Sequence, residues 1–145
     1  TINPQYGWPY NNPIFRQALC DVINRSAVVA TWGLNYPDYY PSSVLVYTVN
    51  LYPSSFKDVL VQCTYDPVKA AQILGSLGFI KKNGVWYTPN GTQLSLLVYG
   101  PSGRTDWMTM TSVAVEQLQA LGIKASLIGQ GVGVYWGTTI LQSQY

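Results

Sequence analysis

The stretch GPSGRTDW, Gly100 to Trp107, gathers residue types suited to holding a small molecule. Arg104 offers a planar fork of N–H donors that matches a carboxylate or a carbonyl. Trp107, and Tyr99 just before the stretch, offer flat faces on which a peptide or a sugar can stack. Ser102 completes this candidate contact set. The plainer alternative is that Trp107 packs in a core and Arg104 is merely solvated. A second group is NYPDYY, where Tyr36, Tyr39 and Tyr40 alternate with proline and can form a rigid amphipathic surface. Its alternative is a packed surface loop.

Catalytic chemistry is poorly served. The chain has no histidine, which removes the commonest general base and metal ligand and rules out Ser-His-Asp and Cys-His sites. Its six carboxylates show no shared loop pattern that suggests a glycosidase pair. The two cysteines, Cys20 and Cys63, form no CxxC motif, so neither a zinc nor a redox site is expected. They are either two buried thiols or a disulfide. In the second case, closure of a loop of about 43 residues adds roughly 4 kcal/mol at most. No enzyme activity, cofactor or metal is expected.

Composition narrows the classes further. At 145 residues the chain suits one domain with a real core. Charged residues make up only 10%, far below the usual quarter. Tyr, Ser, Thr, Asn and Gln fill the deficit, which points to an exported or cell-surface protein. A net charge of +2 with scattered basic residues does not suggest nucleic acid. No apolar run is long enough to span a membrane, and no signal peptide is present. The first residue is Thr and the chain stops abruptly at LQSQY, so it reads as a piece of something longer.

The elements that must position these residues read as an α/β domain with an incomplete sheet. Asn12-Pro13 starts a helix running to about Asn24, after an extended, aromatic lead-in. Asp21 and Arg25, four apart, can pair on it. Ser26 is the expected cap of a second short helix, ended by Gly33. The segment from Asn35 to Cys63 reads as a long loop, with a possible strand at Val44–Val49. Asp66 and Pro67 open a third helix that Gly78 ends. Val85–Thr88 and Gln93–Tyr99 read as a hairpin across Pro89-Asn90-Gly91, with Asn83-Gly84 as a second tight turn. The next helix runs to Leu121 and stops at Gly122. Ile123–Ile128 is a strand, the Gly-rich GQGVG follows, and WGTTILQSQ starts a last helix.

Four of these segments, in this order, resemble the extracytoplasmic solute-binding proteins of ABC transporters, in the dipeptide, oligopeptide and nickel-binding class. FRQALCDVINR is similar to that family's "vRqAl-x-x-aidR" helix, departing from it at Asn24. The family's "YDPxKAxxLLxxxGF" stands here as Tyr65, Asp66, Pro67, Lys69, Ala70, Ala71, Leu74, Gly78 and Phe79. NGVWYTPNGTQLSLLVY looks like its "dG…dG-x-x-L-x-L-x-l" hairpin, and EQLQALGIKASL like its "qLxxiGIxv" helix end. The likeness covers about residues 12 to 130.

The resemblance implies part of the C-terminal lobe of a two-lobed, periplasmic-binding-protein-like (type II) fold. It implies binding of a peptide or other small solute, oligosaccharide included, for delivery to an ABC permease in the membrane. The ligand would lie between this lobe and the N-terminal lobe of the same chain. The protein would be extracytoplasmic and membrane-anchored when full-length. GPSGRTDW would border the cleft, while Arg16, Arg25 and Asp66 would be structural and Trp86 and Trp136 core or lobe-interface residues. The competing reading is a surface interaction module on the same fold that no longer transports.

Overall fold

A computed structural model describes residues 2–31, 63–143 and 145. The Tyr36, Tyr39 and Tyr40 cluster and the strand expected at Val44–Val49 lie outside the described residues.

Each early helix starts on a side-chain cap. Helix α1 (Pro13–Val22) begins at Asn12, whose Oδ1 accepts from the N–H groups of Ile14 and Phe15 at 2.8 and 3.3 Å. Helix α2 (Arg25–Ala30) is capped by Asn24, which accepts from Ala27 N at 3.1 Å. The expected cap, Ser26, is instead already helical. Helix α3 (Pro67–Ser76) is capped by Asp66, which accepts from Lys69 N at 2.8 Å. Gly78 follows it at φ 84°, the left-handed position that needs no Cβ.

The apolar stripes of α1 and α3 face each other. Phe15, Ala18 and Val22 meet Ala70 and Leu74, all essentially buried. The aromatic lead-in is part of this core rather than a simple extended arm. Trp8 stacks on Phe79 at 5.3 Å and Phe79 on Phe15 at 5.6 Å, three rings deep. Buried Asn3 donates to the Ser143 carbonyl at 2.6 Å and so joins the first turn to the last.

Cys20 and Cys63 form a disulfide with a Cα–Cα distance of 5.3 Å. Beside it, the expected Asp21–Arg25 pair is replaced. Asp21 is fully buried between helices, where Lys69 of α3 lies 3.1 Å from Oδ2 and Gln17 donates to Oδ1 at 2.6 Å. The α1–α3 interface thus offers a partner that the i,i+4 neighbour cannot match. Arg25 turns to the carbonyls of Cys20, Ile23 and Cys63, each at 3.4 Å. Its burial lowers its pKa, and nearby Asp21 opposes that shift.

The expected hairpin forms only at its turn end, and a second one precedes it. Strand β1 (Ile80–Lys82) pairs antiparallel with β2 (Val85–Tyr87) across Asn83-Gly84. The Pro-Asn-Gly turn closes a shorter antiparallel pairing, with Thr88 N donating to the Thr92 carbonyl at 2.7 Å, Leu94 N to the Trp86 carbonyl at 2.9 Å, and a bridge from Tyr87 to Gln93. Strand β3 (Ser95–Pro101) runs parallel to β4 (Lys124–Gln130), with helix α4 (Thr105–Leu121) as the crossover. Leu96, Val98 and Leu127 pack on the core, whereas Leu97, pointing the other way by strand alternation, is 60% exposed. A short helix α5 (Val132–Val134) then runs into a π-helical turn (Tyr135–Ile140).

The β1–β2 hairpin latches onto the end of α4. The Leu121 carbonyl accepts from Lys81 Nζ at 2.8 Å and from Trp86 Nε1 at 3.0 Å. Trp86 N donates to the Gly122 carbonyl at 3.0 Å. Gly122 has φ 104°, and a Cβ there would overlap the Gly84 carbonyl. Gly122→Ala therefore combines left-handed strain with a backbone clash. A loss of about 3 kcal/mol is expected, within the range for such strain and overpacking. Urea unfolding of the variant checks it, and a change under about 0.5 kcal/mol, the range of ordinary surface substitutions, would contradict the latch.

Candidate functional site

Parallel pairing of β3 and β4 sends both carboxyl ends to the same edge. Pro101 is in register with Gln130, and Ser102 N donates to the Gln130 carbonyl at 2.7 Å. Two loops therefore leave the sheet side by side. One is Ser102–Arg104, leading into α4, and the other is the Gly131 turn, leading into α5. They touch, since a Cβ on Gly103 would lie 3.2 Å from the Val132 side chain. The carboxyl edge of parallel strands is where ligands sit in open α/β sheets.

Of the sequence-predicted residues, Ser102, Arg104 and Trp107 come together here. Arg104 occupies the N-cap position of α4 without a side-chain cap bond. Its guanidinium carbon lies 5.9 Å from the centre of the Trp107 ring, within reach of a cation–π contact. Trp107 is half-buried on the first turn of α4, outside the central core cluster. Tyr99 is half-buried and stands farther back on β3, opposite Ile128. No ring contact between Tyr99 and Trp107 is seen among the described residues.

The other side of this edge holds residues outside the sequence-predicted contact set. Trp136, expected in a core or a lobe interface, is 45% exposed on the π-helical turn. Its ring meets Trp107 edge-to-face at 5.8 Å and Tyr135 at 5.2 Å. Buried Thr139 donates to Gln130 Oε1 at 2.6 Å and pins the turn to the end of β4. A signal was present in the sequence. GQGVG leaves a strand just as GPSGRTDW does, and an aromatic pair follows it. The edge can grip a flat ligand by stacking and a carboxylate or carbonyl through Arg104.

The fold is that of part of an α/β lobe of the periplasmic-binding-protein (type II) kind. The chain belongs to the bacterial extracellular solute-binding proteins, family 5 (middle), whose family model matches residues 1–144. It is similar to the periplasmic oligopeptide-binding protein of an oligopeptide ABC transporter from Thermotoga maritima, at 29% identity and a TM-score of 0.80 over 92% of this chain and 26% of that one. A mannohexaose-bound structure of that Thermotoga maritima protein matches at 29% identity and a TM-score of 0.77, over 92% of this chain and 25% of the other. The glutathione-binding protein GsiB of Escherichia coli K12 is 29% identical over 125 residues, 86% of this chain and 21% of GsiB. The chain thus spans about a quarter or less of these relatives. Members of the family are extracytoplasmic solute-binding components of ABC importers. No helix among the described residues is long and apolar enough to cross a membrane.

Proposed function

We propose that this chain is a piece of the C-terminal lobe of an importer's solute receptor, and that the β3/β4 carboxyl edge is its share of the ligand cleft. Its full-length form captures a peptide or other small solute outside the cytoplasm, anchored at the membrane, and hands it to a permease without chemical change. The observation that carries this reading is the convergence of Ser102, Arg104, Trp107 and Trp136 on one edge. The Thermotoga maritima and GsiB relatives support it through the peptide, mannohexaose and glutathione in their names. Tyr99 is an outer contact, and the Tyr36, Tyr39 and Tyr40 cluster adds a second contact surface.

The test is a thermal-shift screen of the full-length polypeptide that carries this segment, against short peptides, glutathione and oligosaccharides. A true ligand at about 100 times its Kd adds roughly 2.7 kcal/mol of apparent stability. Arg104→Ala is expected to weaken that ligand at least tenfold while leaving the unliganded melting temperature within about 1 °C. Absence of any shift across the panel would favour a surface interaction module that has lost transport.

A further inference from the structure

Ser102, Arg104 and Trp107 all lie on the first turn of α4 or the loop before it. Where that turn stands on the sheet therefore decides where these side chains stand. The β3–β4 ladder has a gap at this place. Gly100 and Gly129 are partners in the register, one residue before the strands end at Pro101 and Gln130. Paired residues send their side chains to the same face, so the two glycines together leave a notch there. Glycine inside a strand weakens it and often marks the close approach of another group. Here that group is Met108. A Cβ on Gly100 would lie 2.9 Å from Met108 Sδ, and one on Gly129 would lie 3.2 Å from Met108 Cε. The sulfur and the terminal methyl thus lie across both glycines. An unbranched thioether is slender enough for such a slot.

The fit around Gly100 is selective. The next atoms to its Cβ position, Thr111 Oγ1 and Leu127 Cδ1, stand at ordinary contact distances of 3.8 and 3.9 Å. An alanine at Gly100 therefore evicts the thioether and little else. The path from this seat to the site is short. Met108 N donates to the Arg104 carbonyl at 3.0 Å, and Thr111 Oγ1 donates to the Trp107 carbonyl at 2.7 Å. Ser102 is pressed onto the second glycine, its Cβ 3.3 Å from the Gly129 Cβ position. Binding side chains keep their geometry only when packed neighbours hold the elements that carry them.

We infer that Met108 is a positioning residue. Seated in the Gly100–Gly129 notch, it sets where the first turn of α4, with Arg104 and Trp107, stands on the carboxyl edge. Its consequence for binding rests on the receptor reading above.

The experiment is a size swap in the full-length polypeptide. The readout is the exciton circular-dichroism couplet of the Trp107–Trp136 pair, whose rings meet at 5.8 Å. The couplet is identified as the signal that Trp136→Phe abolishes. Well below each variant's melting temperature, Gly100→Ala and Met108→Ala should each weaken it at least twofold. The double variant should recover more than half of what Gly100→Ala lost, because the alanine methyl then fills the seat that Met108 has left. Met108→Leu conserves volume and so secures a folded variant. It should also weaken the couplet, though less, because its side chain is too short to lie across both glycines. Glutathione, hexa-alanine and mannohexaose serve as binding probes. A probe that binds the parent should bind Gly100→Ala at least threefold more weakly and regain affinity in the double variant. A couplet unchanged in the Met108 variants would overturn the inference, as would a Gly100→Ala loss that the double variant does not recover. A bound probe whose affinity ignores these substitutions would overturn it too. If no probe binds and the couplet responds as expected, the result counts against the receptor reading and leaves Met108 as the residue that places this turn.

Discussion

Phe15→Ala is expected to destabilise the chain by about 4 kcal/mol, the middle of the range for truncating a buried Phe. Phe15 is fully buried. One of its faces is stacked on Phe79 at an interplanar angle of 13°, and Tyr10 meets it edge-on at 5.9 Å. Truncation removes the bottom ring of the Trp8–Phe79–Phe15 stack and leaves a void beneath Phe79. Since domains of this size have only about 5–15 kcal/mol in hand, the loss is a large share of the total. Phe15→Leu keeps most of the volume and loses the stacking, so it should cost under about 1.5 kcal/mol. In urea the midpoint should fall in that order with an unchanged slope. Equal midpoints for the two variants would contradict this order and mean that the ring contacts, not the filled volume, carry the loss.

Replacing both cysteines by serine should be nearly as costly. The disulfide closes 43 residues, for which the loop-entropy relation gives about 4 kcal/mol. For a chain of this length that corresponds to a fall in melting temperature of roughly 10 °C. The bridge also holds the start of α3 against the end of α1, where Asp66 N donates to the Asp21 carbonyl at 2.8 Å and Arg25 reaches the Cys63 carbonyl. The closed segment carries Tyr36, Tyr39 and Tyr40. If that cluster contacts solute, the double variant should also bind more weakly than its stability loss explains. Melting in the presence and absence of a reductant, followed by ligand titration at a temperature where both forms are folded, separates the two effects. An unchanged melting temperature on reduction would show that the cross-link adds no stability.

Local signals were legible in the sequence wherever a single residue decides the backbone. Asn12-Pro13, Asp66-Pro67, Gly78 and Gly122 mark helix ends by cap chemistry and left-handed φ, and the structure has each of them in that role. The buried faces of α1 and α3 follow from helical spacing in the same way. The order of four motifs was enough to point to the solute-binding family, and GPSGRTDW was recognisable as a loop between strand and helix.

Partnership between distant segments was decided only by tertiary structure. Both expected turns form, but the Asn83-Gly84 hairpin is anchored by its bonds to the Leu121 and Gly122 carbonyls, while the second expected arm pairs with β4 instead. Asp21 left its i,i+4 neighbour for Lys69 because α3 covers the face on which it is buried. Whether Cys20 and Cys63 joined depended on how closely α1 and the start of α3 approach, which no spacing along the chain encodes. The site itself has the same origin. Trp107 and Trp136 are far apart in sequence, and they meet because parallel pairing of β3 with β4 brings two carboxyl ends, and the turns that follow them, to one edge.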